Sequence, residues 1–380
     1  MSPGDSTQTR LAQGTPLALT VQDALEEGRR LASICNACRY CEGYCAVFPA
    51  LERRLQFADN DLRYLANLCH NCGACLTACQ YAPPHEFALN LPRNLARIRA
   101  QSYRDFAWPA GLGSLYGRGV GAWLAIAAIF CAIFLVAMQG RVASTPGAFY
   151  DVMPHTLMAL VFGAAGLFVA VALVAMFGRG WRDMGETAPV DAKAVMLAVH
   201  DAASLKYLGG GGEGCAAGEG PPSNLRRRLH HATAYGFALC FAATVVATFY
   251  HYVLRWPAPY PVSSLPVVLG IAGGIGLVVG TVGLTWLAHR RDREFTDPAQ
   301  ASSNASLLIL LFLTSVTGLA LLVWRDTAAM PSLLAIHLGI VLALFVAFAY
   351  GKFVHGLHRF AALLRYAVER RRPVRDSGGG

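Results

Sequence analysis

Up to Arg118 polar and apolar positions interleave closely. From about Val120 the texture changes, and long apolar runs alternate with short charged stretches. Six runs stand out, at 120–138, 156–177, 232–254, 265–287, 305–324 and 333–353. An α-helix rises about 1.5 Å per residue, so about 20 residues cross a hydrocarbon core of about 30 Å, and each run has that length. Buried helices of a large soluble core do not supply six such runs almost free of charge. The pattern predicts six membrane-spanning helices behind an N-terminal domain of different character.

These boundaries divide the chain into a lead (1–20) expected to be disordered, a domain at 21–118, a membrane domain at 119–368 and a disordered tail at 369–380. In the N-terminal domain, 50–57 and 61–68 read as helical, so the expected fold is all-α throughout. The longest loop, 178–230, holds an amphipathic stretch at 192–208 and then the glycine run 209–215, which formally matches G-x-G-x-x-G. No strand precedes that run, so it reads as a flexible hinge rather than a dinucleotide fingerprint. Gly273, Gly274 and Gly276 in the fourth run read as close helix packing.

Of the 380 residues 55% are hydrophobic and only 14% charged, against about 25% charged in soluble domains, which excludes an ordinary soluble enzyme. A net charge of +9 taken alone would suit nucleic acid, anionic lipid or membrane-flanking loops. Placement decides. With the N-terminus inside, 29 of the 32 Lys and Arg residues fall on one side, and only Arg141, Arg255 and Arg325 on the other. The positive-inside rule then places both termini in the cytoplasm, at a bacterial inner membrane, and nucleic acid is not needed to explain the charge. Residues 1–10 lack the basic and apolar regions of a secretory signal, in keeping with that topology.

Eight of the 11 cysteines fall in a doubled motif. Cys35, Cys38, Cys41 and Cys45 have the spacing C-x2-C-x2-C-x3-C, and Cys69, Cys72, Cys75 and Cys79 repeat it. Three thiolates at successive x2 spacings wrap one [4Fe-4S] cubane, and in two-cluster ferredoxins the fourth cysteine of each run serves the other cluster. One cluster is therefore assigned Cys35, Cys38, Cys41 and Cys79, the other Cys69, Cys72, Cys75 and Cys45. Zinc gives no reason for a third cysteine at x2 and a fourth at x3, and disulfides conflict with a reducing cytoplasm. Cys131 and Cys240 read as packing residues inside spans, and His70 and His85 as local hydrogen-bonders beside the second motif.

Histidines in hydrocarbon need partners. His337 and His355 bracket the sixth run, 18 residues apart, which on one continuous helix puts them on one face about 27 Å apart. His230 and His231 begin the third run and His251 lies near its end. His230 stands about 60° round the helix from His251, and His231 about 160°, which favours His230. In the antiparallel topology His230 (or His231) and His355 share the inner level, and His251 and His337 the outer. Two pairs of imidazoles at two depths suit two b-type haems; C-x-x-C-H is absent, so covalent c-type attachment is excluded.

The doubled cysteine motif, the glycine run, His230-His-Ala-Thr-Ala-Tyr-Gly-Phe237 and Tyr350-Gly-Lys-Phe-Val-His-Gly-Leu-His358 together resemble the tricarballylate-utilisation protein B (CitB) family over roughly residues 30 to 370. The sixth-run pair His337 and His355, followed by basic residues, also looks like the cytochrome b subunit of respiratory nitrate reductase. The resemblance implies an electron-transfer subunit serving a separate FAD-dependent dehydrogenase that oxidises tricarballylate to cis-aconitate. It would return the flavin's electrons to the quinone pool. Related modules serve a cobalamin-pathway oxygenase, and heterodisulfide-type reduction is another outlet. Nothing in the sequence offers an organic substrate site, and Lys352 is a candidate for contact with quinone. A transporter or redox sensor is the reading from a different class, and polar mid-span residues with broken helices would support it.

Overall fold

The structure is a computed structural model that describes residues 21–185, 189–212, 214–215, 223–256 and 258–372. The expected lead, 1–20, and residues 373–380 of the expected tail lie outside these. Among the described residues the regular elements are helices, with one isolated bridge between Cys215 and Ser223.

Five helices build the N-terminal domain: α1 (Val21–Cys38), α2 (Val47–Leu51), α3 (Asp59–Leu68), α4 (Ala74–Thr77) and α5 (Leu91–Asp105). In α1 the buried positions Ala24, Leu25, Gly28, Leu31 and Ala32 recur at three- and four-residue intervals and form one face. That face shares a core with Leu62 and Leu65 of α3 and Leu95 and Ile98 of α5. Asn90 starts α5, its side chain accepting the Arg93 N–H at 3.2 Å, with Pro92 in the first turn. The helix expected over 50–57 does not form. The chain turns after Leu51, where the Arg54 N–H bonds the Leu51 carbonyl and the guanidinium folds back onto the Ala50 carbonyl.

The remaining helices are α6 (Val120–Ala137), α7 (Phe149–Val152), α8 (His155–Asp183), α9 (Ala192–Ala203), α10 (Leu225–Tyr252), α11 (Leu265–Arg290), α12 (Pro298–Trp324), α13 (Met330–Tyr350) and α14 (Val354–Glu369). Six segments, α6, α8, α10, α11, α12 and α13 with its continuation, are long and apolar enough to cross a membrane, which makes this a multi-pass membrane protein. Leu160, Val174 and Val323 stay outward-facing and exposed, as contact with lipid requires. Helices α10 and α11 meet along glycines: a Cβ on Gly273 would lie 2.7 Å from both the Cys240 Sγ and the Gly236 carbonyl oxygen. Gly339 packs on Cys131 in the same way, a Cβ there lying 2.7 Å from its Sγ. Both cysteines thus pack against glycines, and α11 runs unbroken past Gly273, Gly274 and Gly276.

Three local expectations need correction. The amphipathic stretch at 192–208 is α-helical only to Ala203, capped at its start by the Asp191 carboxylate on the Ala194 N–H; Leu205, whose φ is +48°, breaks it, and Lys206–Gly212 follows as a 3-10 turn. The sixth span does not carry one helix from His337 to His355. It breaks at Gly351, whose extended ψ of −162° interrupts the hydrogen-bond ladder before α14 begins. Finally, α14, expected to close the membrane domain with Glu369 opening the tail, packs on the N-terminal domain. Ala361, Ala362, Leu363, Tyr366, Ala367 and Val368 are buried with Leu62, Tyr64 and Leu65 of the N-terminal domain. Arg54 seals that join, donating to Asp61 at 2.6 Å and to Glu369 at 2.7 Å.

Candidate functional site

The cysteine runs sit where helices end. Cys35 and Cys38 occupy the last turn of α1, Cys41 and Cys45 the turns before α2, and Cys69 the residue after α3. In both runs the residue after the second cysteine is left-handed, Arg39 at φ +55° and Gly73 at φ +86°. That turn lets the third thiol swing back toward the first two.

The thiols form two sets. Burial pushes the Cys35 thiol up to about 12, with Cys41, Cys79 and Cys38 as its next-strongest influences. Cys41 is pushed to about 11 by burial and then by Cys79 and Cys38. Cys45 is raised by burial and by Cys72 and Cys69, and Cys75 by burial and then by Cys72, Cys45, Cys69 and Cys41. The mutual influences thus run among Cys35, Cys38, Cys41 and Cys79 and among Cys69, Cys72, Cys75 and Cys45, with Cys41 also acting on Cys75. The four thiols of the first set, with Cys75, line a cavity of about 200 Å³ walled by Ile34, Phe48, Tyr81 and Leu89. Among the described residues, no three His, Cys, Asp or Glu side chains converge on the position of a single metal ion. A set of four thiols without histidine or carboxylate is the soft donor set that an iron–sulfur core takes.

The second set is covered by the glycine run, which is folded against it rather than hinged. A Cβ on Gly210 would lie 2.8 Å from Ala74 Cβ, and one on Gly211, at φ +72°, 2.7 Å from the Gly43 carbonyl oxygen. Cys215 is buried beside Cys72 and donates its S–H to the Leu208 carbonyl at 2.9 Å. The glycines are there because the cap lies on backbone and leaves no room for side chains. His70 and His85 are local hydrogen-bonders: the His70 Nδ1 lies 3.0 Å from the Leu68 carbonyl, and the His85 Nδ1 accepts the Phe87 N–H at 3.1 Å. Burial, reinforced by Arg359, holds His70 well below the usual imidazole range, so it is neutral.

Of the membrane histidines, His230 faces His355 with ring centroids 6.1 Å apart and planes at 69°. Two metal–nitrogen bonds of about 2 Å fit between rings so spaced. The His355 Nδ1 lies 2.5 Å from the Lys352 carbonyl, a contact that puts the proton on Nδ1 and the lone pair on Nε2. The His230 Nδ1 is buried without a hydrogen-bond partner. His231 turns instead toward Tyr235, at 5.6 Å. Lys352 sets its ammonium 5.9 Å over the Tyr103 ring.

The outer pairing of His251 with His337 is not made. His251 stacks on His155 of α8, centroids 4.0 Å apart, with Tyr150 and Tyr252 against its edges. His337 meets α12, its Nδ1 3.0 Å from Thr317 Oγ1, whose own proton goes to the Leu313 carbonyl. The break at Gly351 removes the phase argument that placed His337 and His355 on one helical face. His155, at the first turn of α8, has no sequence spacing that ties it to His251.

Comparisons with known proteins cover both halves of the chain. The family described as Citrate utilization protein B matches residues 120–376, and its Fer4-like domain matches residues 28–105. The Escherichia coli protein named Citrate utilization protein B is 50% identical over 353 residues, 91% of this chain and 93% of its own length. No solved structure matches the chain.

Proposed function

The chain belongs to the citrate utilization protein B family, with a Fer4-like N-terminal domain, and from that membership we propose that it is a membrane electron carrier. It takes electrons from the reduced flavin of a separate FAD-dependent dehydrogenase and delivers them to quinone. Two [4Fe-4S] clusters and a b-type haem, when bound, supply reversible one-electron oxidation and reduction. Cys35, Cys38, Cys41 and Cys79 would hold the first cluster, Cys69, Cys72, Cys75 and Cys45 the second, and His230 with His355 the haem.

The chain's own residues prepare each place. Ile34, Phe48, Tyr81 and Leu89 wall the first thiol set with apolar surface, while exposed Tyr40 stands at its rim, where a partner would dock. The glycine run packs beside the second set, Gly210 against Ala74 and Gly211 against Gly43. The Lys352 carbonyl orients the His355 ring. A partner dehydrogenase acting on a tricarboxylate such as tricarballylate accords with the relative's name, and the basic loops accord with termini in the cytoplasm.

One observation carries the reading: the thiol sets and the facing imidazoles lie together at one end of the bundle. Arg359, four residues after His355, donates to the Cys69 carbonyl at 2.8 Å. Anaerobic purification from membranes, with iron, sulfide and optical assays, tests it. About eight sulfide-associated irons per chain and a dithionite-reducible b-type spectrum are expected. His355→Ala should lose the b-type absorbance and keep the sulfide. A protein without labile sulfide would overturn the proposal.

A further inference from the structure

Four arginines from four different segments converge on the loop between Cys69 and Cys72. Arg99 of α5 donates to the Cys69 carbonyl at 2.5 Å and the Ala66 carbonyl at 2.8 Å, and Arg359 of α14 donates to the Cys69 carbonyl at 2.8 Å. Arg226 of α10 donates to the Asn71 carbonyl at 2.7 Å, and Arg291, just after α11, donates to the same oxygen at 2.6 Å. The other acceptors are equally uncharged: Gln300 Oε1 for Arg99 and the Asn67 carbonyl for Arg359. Arg99 is only 1% exposed. Arg291 keeps a buried Nε with no partner, and both amide atoms of Asn71 are likewise unpartnered.

Buried charge without a counter-charge is costly, so four guanidiniums ending on carbonyls need a nearby anion. Cys69 and Cys72, which bracket the loop these arginines hold, supply it as thiolates, and both favour the charged form of Arg291. Among the described residues the first thiol set has no such collar. Its cavity is lined by Ile34, Phe48, Leu89, Leu91 and Tyr81, and the charges felt by Cys35 and Cys41 are those of other thiols.

Resting on the reading of both thiol sets as cluster sites, we propose that Arg99, Arg226, Arg291 and Arg359 form a cationic collar that holds the second site at a higher reduction potential than the first. Cations beside a site favour its more negative, reduced form, and an apolar wall disfavours it. Each transfer moves one electron, lost at the Cys35 set and gained at the Cys69 set, with no bond broken. No proton need move, because guanidiniums stay charged at working pH. The collar thus gives the path a direction, from the apolar outer cavity toward the join with the membrane helices. It also ties these helices to the second site, since α10, α14 and the end of α11 each contribute one cation.

The test is a redox titration of the anaerobically purified full chain, followed by paramagnetic resonance at low temperature. Cys45→Ser identifies the signal belonging to the second set. Arg291→Gln and Arg226→Gln should each lower that signal's midpoint by at least tenfold in the reduction equilibrium, about 59 mV for one electron, and leave the other signal in place. Arg291→Lys, which keeps the charge, should restore most of the shift and guards against a variant that fails to fold. If labile iron and sulfide are missing from the wild type, the cluster reading has failed. If both signals are present and neither moves, or both move together, or the first set is the more oxidising, the collar proposal is overturned.

Discussion

Removing the Arg54 side chain probes how the Fer4-like domain is held to the membrane helices. Arg54 is 9% exposed and touches three elements: the Ala50 carbonyl of α2, Asp61 of α3 at 2.6 Å and Glu369 of α14 at 2.7 Å. Glu369 also accepts from Tyr64 at 3.1 Å and from Arg365 at 2.8 Å, and both guanidiniums lie over the Tyr64 ring, at 4.9 and 4.4 Å. Deleting one member of a buried pair costs about 3–5 kcal/mol. Here Asp61 and Glu369 keep about a fifth of their surface in water and Arg365 remains beside both, so about 2–3 kcal/mol is the expected loss for Arg54→Ala. That is roughly a hundredfold in the population of an undocked domain. Hydrogen exchange at 361–368 in detergent-solubilised protein should speed by that factor, with exchange in α12 unchanged. A double-mutant cycle with Glu369→Gln should return a coupling above about 1 kcal/mol; a value below about 0.5 kcal/mol would refute the clamp.

Three further predictions follow from individual contacts. Gly273→Leu drives a side chain into Cys240 and the Gly236 backbone, so it should lower thermal stability by about 1–3 kcal/mol as read by unmasking of the Cys240 thiol. Gly211→Ala meets both a φ of +72° and the Gly43 carbonyl, should cost about 1–2 kcal/mol, and should quicken iron loss to chelators, whereas substitution at Gly43, which has open space, should not. In protein stripped of iron, Cys35 stays protonated well past the range of a free thiol, because burial and then the neighbouring thiols push it to about 12. Its alkylation by iodoacetamide should still be climbing above pH 9, where a free thiol of pKa about 8.5 has levelled off. The sign for stability follows, since a folded pKa above the unfolded one contributes below the unfolded value and is lost as pH rises toward the folded one. Melting of the stripped domain should therefore fall through pH 9 to 12.

The features legible in sequence were those whose chemistry is local. The x2, x2, x3 spacing places three thiols in one turn whatever the surroundings, and 20 uncharged residues spell a membrane helix without tertiary help. The His230–His355 contact was legible because both lie at the ends of spans running in opposite directions. What failed depended on phase or on distant packing. One glycine, Gly351, interrupts the ladder, and the face computed for His337 is lost. Glu369, the first residue of the expected tail, shows its role only once Arg365 and Tyr64 are seen bonded to it. The glycine run looks flexible by composition, yet Gly210 and Gly211 are small because Ala74 and Gly43 lie against them. The arginine collar escapes notice for a related reason: Arg99, Arg226, Arg291 and Arg359 are up to 260 residues apart and share no motif.

Reoxidation by quinone tests the account most directly. The purified protein is reduced anaerobically with limiting dithionite, freed of reductant, and mixed with a short-chain quinone while the iron–sulfur resonance and the quinol formed are recorded. The wild type should lose its reduced signal as quinol appears, and His355→Ala should hold its electrons at least about tenfold longer, since the proposed path runs through the facing His355 and His230. Equal rates in the two proteins would contradict the path described here.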